Sequence, residues 1–218
     1  MLSYPYFNPQ ICPRKADRMA NYRNRKGKLS INVMAMCGPD YVYDFVCARF
    51  PGSCHDSFIE KNSDLHIEYQ VLKRLPIPNA LVLGDSAYCR SYKWLCTPFL
   101  EGTLGDDPDK IYFNDCICGC RSVIEQSFGQ IQSKFPCLGD AGIRFPDVKT
   151  CALYIQALFA FWNFIKRNQK DDIFIDDEEQ DGDGPIQLFH DEATTVNDNP
   201  GNMPTNQKLF EKYFKHRI

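Results

Sequence analysis

Two carboxylates stand where a fold can aim them. Ala80-Leu81-Val82-Leu83-Gly84 is a short apolar run bounded by Pro78 and Gly84. It reads as a buried strand, and its carboxyl end delivers Asp85 in a direction set by backbone pairing. Glu125 falls in a second pattern, beside an apolar stripe of Ile124, Phe128, Ile131 and Phe135 at helical spacing. Gly129, one turn on, leaves a gap beside it, and Arg121, one turn back, adds a positive charge. Carboxylates on neighbouring rigid elements suit Mg²⁺ or Mn²⁺, which polarise phosphoryl oxygens and activate water. The bland reading also stands at this point: an Asp after a strand often forms a turn, and a helical Glu is usually solvated. Asp56 is a third candidate ligand, although Pro51-Gly52-Ser53-Cys54-His55-Asp56-Ser57 reads more readily as a turn followed by a helix N-cap. His55 beside it reads as structural rather than as a general base.

Other chemistries fare worse. Gly84-Asp85-Ser86 looks like the nucleophile block of GDS-type esterases. Those enzymes need a histidine three residues after an aspartate, and here the residues three before each His are Gly52, Ser63, Gln187 and Tyr213. Ser86 therefore has no evident base. The chain holds 11 cysteines, an odd number, and no export signal is legible at the N-terminus. Free thiols in a reducing compartment are expected. Cys116-x-Cys118-x-Cys120 lacks the two-residue gap of a zinc knuckle.

The elements that must position these groups follow from periodicity. Leu29, Ile31, Val33, Ala35 and Cys37 alternate onto one face of a strand. Gly38-Pro39-Asp40 turns the chain, and Tyr41–Phe50 predicts the second strand of a hairpin. His55–Leu75 has helical spacing, closed by Pro76 and Pro78, and Gly105–Asp109 reads as loop. Arg121–Phe135 predicts one helix, and Asp147 caps another that runs through Arg167. Cys151–Ile165 is the longest apolar stretch, too short and too polar to span a bilayer. No internal repeat is present, and no membrane partner is expected.

Charge divides the 218 residues into three parts. Residues 1–28 read as a basic loop, in which Arg14, Lys15, Arg23, Arg25, Lys26 and Lys28 are candidate contacts to DNA phosphates. Residues 29–168 form the folded domain. Residues 169–218 form an acidic tail with eleven Asp/Glu and no Lys/Arg between 171 and 201. Such a composition cannot bury enough surface to order itself. Lys208–Ile218 reads as a short amphipathic helix or docking segment.

Five blocks in order resemble the nuclease domain of PIF/Harbinger transposases. They are Tyr22-Arg23-Asn24-Arg25-Lys26-Gly27 with Ser30-Ile31-Asn32-Val33, then Pro51-Gly52-Ser53-x-His55-Asp56-Ser57, Leu83-Gly84-Asp85-Ser86-x-Tyr88, Trp94-Leu95-x-Thr97-Pro98, and Arg121-Ser122-Val123-Ile124-Glu125-x-x-Phe128-Gly129. The resemblance runs from about residue 22 to 166. It implies an α/β, RNase H-like mixed sheet flanked by helices, and a DDE site using two divalent metals (Mg²⁺ or Mn²⁺) to hydrolyse DNA phosphodiesters. By block, Asp85 matches the second catalytic Asp and Glu125 the catalytic Glu, while Asp56 matches a recurrent Asp without an assigned role. It also implies a nuclear protein, found in the cytoplasm as well in some settings, with DNA and a separate Myb-like DNA-binding protein as partners. Two departures count. The family's first Asp lies upstream of the Asn-Arg-Lys-Gly block, and Met1–Gln10 holds no Asp. The family's late His-Asn pair stands here as Trp162-Asn163. The expectation is a sheet lacking its first strand, incomplete at the N-terminus, and a chain with weak or no nuclease activity by itself. The alternative is a non-catalytic DNA- or protein-binding module.

Overall fold

The computed structural model describes residues 2–3, 7–12, 20–75, 81–86, 88, 92–169, 207 and 209. Its organising element is β2 (Ile31–Cys37), all seven residues of which are buried. Val33, Ala35 and Cys37 point into one core and Met34 and Met36 into another. The alternation of Ile31, Val33 and Ala35 marks only the first of these faces. The opposite face is equally covered, because Met and Asn at the intervening positions do not announce burial.

On one side of β2 runs β1 (Leu2–Ser3), antiparallel, with Leu2 opposite Met36 and Ser3 opposite Ala35. The pairing continues irregularly: the amides of Val33 and Ile31 donate to the carbonyls of Phe7 and Pro9 at 3.1 and 3.2 Å. Residues 1–28 are therefore not simply a loop. A short strand thus pairs with β2 upstream of the Asn24–Lys28 segment, and neither of its residues is a carboxylate. On the other side lies β3 (Tyr43–Pro51), joined through a turn in which Tyr41 takes φ 60°.

After β3 the chain forms α1 (Asp56–Lys61) and α2 (Asp64–His66), the latter running on into a π-helical turn, Ile67–Val71. The single helix expected over 55–75 is broken because Ser63 starts a new one, its Oγ accepting from the amide of His66 at 3.2 Å. The strand expected over 80–84 narrows to β4 (Val82–Leu83), which pairs in parallel with β5 (Leu95–Cys96) and rests against β1. A four-residue helix, α3 (Glu101–Leu104), follows.

α4 (Pro108–Lys134) starts thirteen residues before the predicted Arg121, within what reads as loop. Asp107 caps it by accepting from the amides of Asp109 and Lys110, and Pro108 occupies its first turn. That places Cys116 and Cys120 one turn apart on a helix, and every described cysteine is a free thiol. α5 (Val148–Asn168) begins at its predicted cap, where Asp147 accepts from the amide of Thr150 at 2.8 Å. By length and composition α5 passes for a membrane span, yet Cys151, Ile155, Leu158, Phe159 and Trp162 bury into the core beside β2 and β3.

The core between the sheet and α4/α5 is aromatic. Phe7 stacks on Phe128 with centroids 4.5 Å apart, and Tyr43 meets Phe159 edge-on at 4.6 Å. Asn163 closes the outer edge of β3: the Tyr43 amide donates to its Oδ1 at 2.8 Å, and its Nδ2 donates to the Tyr43 carbonyl at 2.7 Å. The acidic tail falls outside the described residues except for Gln169, Gln207 and Leu209. Leu209 packs against Cys96, Phe113 and Ile117.

Candidate active site

Asp85 owes its direction to the two strands behind it. The amides of Val82 and Gly84 donate to the carbonyls of Trp94 and Cys96, both at 2.8 Å, and hold the end of β4 against β5. At Gly84 the packing is close: a Cβ would come within 2.9 Å of the Leu95 side chain, which would have to shift. Ser86, which might have suggested a nucleophile, donates its hydroxyl to Asp85 Oδ1 at 3.0 Å. It orients the carboxylate.

Glu125 sits on α4 one turn beyond Arg121, whose side chain is 10% exposed. One guanidinium nitrogen of Arg121, Nη2, lies 3.7 Å from Asp85 Oδ2 and 3.8 Å from Glu125 Oε1. Two carboxylates 40 residues apart in sequence thus converge on a single atom. Both separations exceed hydrogen-bonding distance, so the attraction is that of charges rather than of aligned bonds. Nε of Arg121 is buried without a partner. A guanidinium this deep is stabilised chiefly by the two negative groups in front of it. Gly129, the next turn, faces open space, so the helix surface beside Glu125 is unobstructed.

Asp56, the third candidate, stands at the start of α1. It is not the helix cap: His55 holds that position and makes no capping bond, while Asp56 is the first helical residue. Its carboxylate instead accepts from Asn32 Nδ2 at 3.0 Å, and Asn32 also donates to the Cys54 carbonyl at 3.1 Å. Burial pushes the Asp56 carboxyl above its ordinary value of 3.8. The Asn32 bond and the charge of Arg25 pull it down, and the negative charge of Asp85 adds to the rise.

A cleft of about 470 Å³ opens beside Asp56. The Asn24–Lys28 turn forms one wall, with Asn24 Oδ1 accepting from the amides of Lys26 and Lys28 and Gly27 at φ 74°. Gly52 forms another, so close to Ser30 that a Cβ would lie 2.1 Å from its Oγ. Of the expected phosphate contacts, Arg25, Lys26 and Lys28 line this cleft. Lys28 is engaged with Asp140 at 2.8 Å and Arg23 with the Gly27 carbonyl at 3.1 Å. Arg14 and Lys15 lie outside the described residues.

Among the described residues, no three His, Cys, Asp or Glu gather into a metal cluster. Mg²⁺ commonly takes one or two protein carboxylates and completes its shell with water and phosphate. Asp85 and Glu125 offer oxygen donors of the type such an ion takes, with the Arg121 guanidinium facing both. Sequence reasoning missed Asn32, which looked like an outward residue of a one-sided strand. It also missed Glu60, wholly buried and bound to His66 Nδ1 at 2.7 Å and to the Tyr92 hydroxyl at 3.2 Å. Neither carries a local signal, because only the covering elements make them interior.

Comparison with known proteins places this geometry in context. The family described as DDE superfamily endonuclease matches residues 7–163. The human and cattle proteins named "Putative nuclease HARBI1" are each 29% identical over 118 residues, covering 54% of this chain and 32% of the relative. The rat protein of that name is 28% identical over the same length. The chain thus spans about a third of the length of the curated relatives it matches. No solved structure matches.

Proposed function

The chain belongs to the DDE superfamily endonucleases, and from that premise we propose that Asp85 and Glu125 are two carboxylates of a divalent-metal site that hydrolyses DNA phosphodiesters, in an RNase H-like, PIF/Harbinger-type domain. The observation that supports this is their convergence on Nη2 of Arg121 at 3.7 and 3.8 Å. Enzymes of this family use divalent metals. Mg²⁺ or Mn²⁺ held by Asp85 and Glu125 would polarise the scissile phosphate and lower the pKa of an attacking water. The residues of the chain do the rest. Strands β4 and β5 fix Asp85, Ser86 orients it, Arg121 keeps the two carboxylates together, and Asp56 adds negative potential from a third element. Two converging carboxylates bind a metal more weakly than three, so these 218 residues by themselves should turn over slowly or not at all.

Mn²⁺ uptake followed by electron paramagnetic resonance, with plasmid nicking alongside, tests the reading. Wild type should bind Mn²⁺ weakly, and Asp85→Asn and Glu125→Gln should each abolish uptake. Unchanged uptake in both variants would overturn the site. Robust nicking that both substitutions remove would leave the site standing and overturn only the expectation of slow turnover.

A second reading, a non-cutting DNA- or protein-binding module, is favoured by one observation: Arg121 already supplies positive charge between the carboxylates. DNA is then the partner through Arg25, Lys26 and Lys28, together with Arg14, Lys15 and Arg23. A Myb-like protein would supply sequence recognition, since no recognition helix is legible in this chain. A nuclear location, with or without a cytoplasmic pool, accords with both readings. Duplex binding in EDTA that weakens steeply with salt, without nicking in Mn²⁺, would select the second.

A further inference from the structure

We propose that the cleft between the Asn24–Lys28 turn and Asp56 receives a single nucleotide extruded from a bound DNA strand. This rests on the DNA reading above and adds to it the conformation of the substrate.

The cleft is too large to be only a phosphate seat and too small for a duplex. About 470 Å³ accommodates one base with its sugar. Its walls are tied together: Asn24 hydrogen-bonds the basic turn, Gly52 is packed onto Ser30, and a surface Lys28–Asp140 pair spans from the turn to the loop after α4. The chemistry is divided. Arg25 and Lys26 stand at the basic turn, suited to a phosphate. The walls present amide side chains, Asn8, Gln10 and Gln132. Gln132 Nε2 donates to the Leu138 carbonyl at 3.4 Å, and its Oε1 has no protein partner among the described residues. Amides donate and accept at once, as the Watson–Crick edge of a base requires. Asp56 lines the cleft, so a nucleotide seated there lies against the third candidate carboxylate.

Fluorescence anisotropy in EDTA tests this with two labelled duplexes, one fully paired and one carrying a single unpaired nucleotide. An unpaired base has no pairing to break, so wild type should bind the second duplex about tenfold more tightly. Gln10→Leu and Gln132→Leu should each erase that advantage. The readout is a ratio of two affinities within one preparation, so partial loss of fold cancels. Equal affinity for the two duplexes in wild type, or an advantage that survives both substitutions, overturns the extruded nucleotide while leaving DNA binding intact. Binding of neither duplex overturns it together with the DNA reading. Binding of a free deoxynucleoside 5′-monophosphate with no preference between duplexes assigns the cleft to free nucleotides and overturns the proposal as well.

Discussion

Glu60 and Glu125 belong to two charged clusters in one domain with opposite characters. Glu60 is wholly buried, and both its oxygens are used: His66 Nδ1 stands at 2.7 Å and the Tyr92 hydroxyl at 3.2 Å. The second cluster, Asp85, Arg121 and Glu125, has a buried guanidinium but carboxylates 31% and 52% exposed, at separations of 3.7 and 3.8 Å. The first cluster is closed, with both carboxylate oxygens spent on structure. The second is held together by charge alone, with lone pairs still free to bind something else. A carboxylate with all its bonds made stabilises a fold, and one held near a charge without bonding to it is available for chemistry.

The sharpest test of that contrast is to remove one carboxylate from each cluster. Glu60→Ala takes the wholly buried carboxylate away from His66 Nδ1 and the Tyr92 hydroxyl, and should cost about 3–5 kcal/mol of stability in urea denaturation. If it costs no more than Asp85→Ala, the distinction between closed and open clusters fails.

Arg121→Ala should cost less, about 1–2 kcal/mol, because the two carboxylates it leaves behind can hydrate. The same substitution removes positive charge from the site, so Mn²⁺ should bind several-fold more tightly than to wild type by electron paramagnetic resonance titration. Weaker Mn²⁺ binding would mean that Arg121 organises the carboxylates more than it competes for them.

Asp85→Asn and Glu125→Gln should change stability by no more than about 0.5 kcal/mol each, as expected of half-exposed ion pairs. A larger loss in thermal melting would make them structural, like Glu60.

The smallest effect concerns pH at Asp56. Its carboxyl is raised above 3.8 by burial, so the folded state favours the protonated form. The stability this contributes is fully present below the unfolded value of 3.8, and is lost as pH rises through the higher folded value. Asp56→Asn should therefore be somewhat more stable than wild type at pH 7, with the gap closing as pH falls toward 3.8, measured by urea denaturation across that range. A gap that widens on acidification would reverse the sign and show Asp56 to be stabilised as an anion.

What the chain discloses locally is uneven. The α5 cap at Asp147, the hairpin of β2 and β3, and Asp85 at the end of β4 follow from short-range patterns of apolar spacing and turn residues. The start of α4 did not, because the polar stretch from Asp107 resembles a loop until Pro108 and Asp107 are seen as first turn and cap. The strand at Leu2–Ser3 could not be read either, since two residues hold no periodicity and pair only because β2 offers an edge. Asp85 and Glu125 were legible as candidates from their placement and the motifs around them.

The residue order determined which groups were available: one Asp after a short apolar run, and one Glu a helical turn from an Arg. The tertiary structure alone decided that both carboxylates face the same nitrogen of Arg121, that Asn32 turns inward to hold Asp56, and that the basic turn walls a cleft. The physical reason is range. Periodicity and capping act over a few residues, whereas convergence and burial depend on elements dozens of residues apart packing on both faces of one central strand.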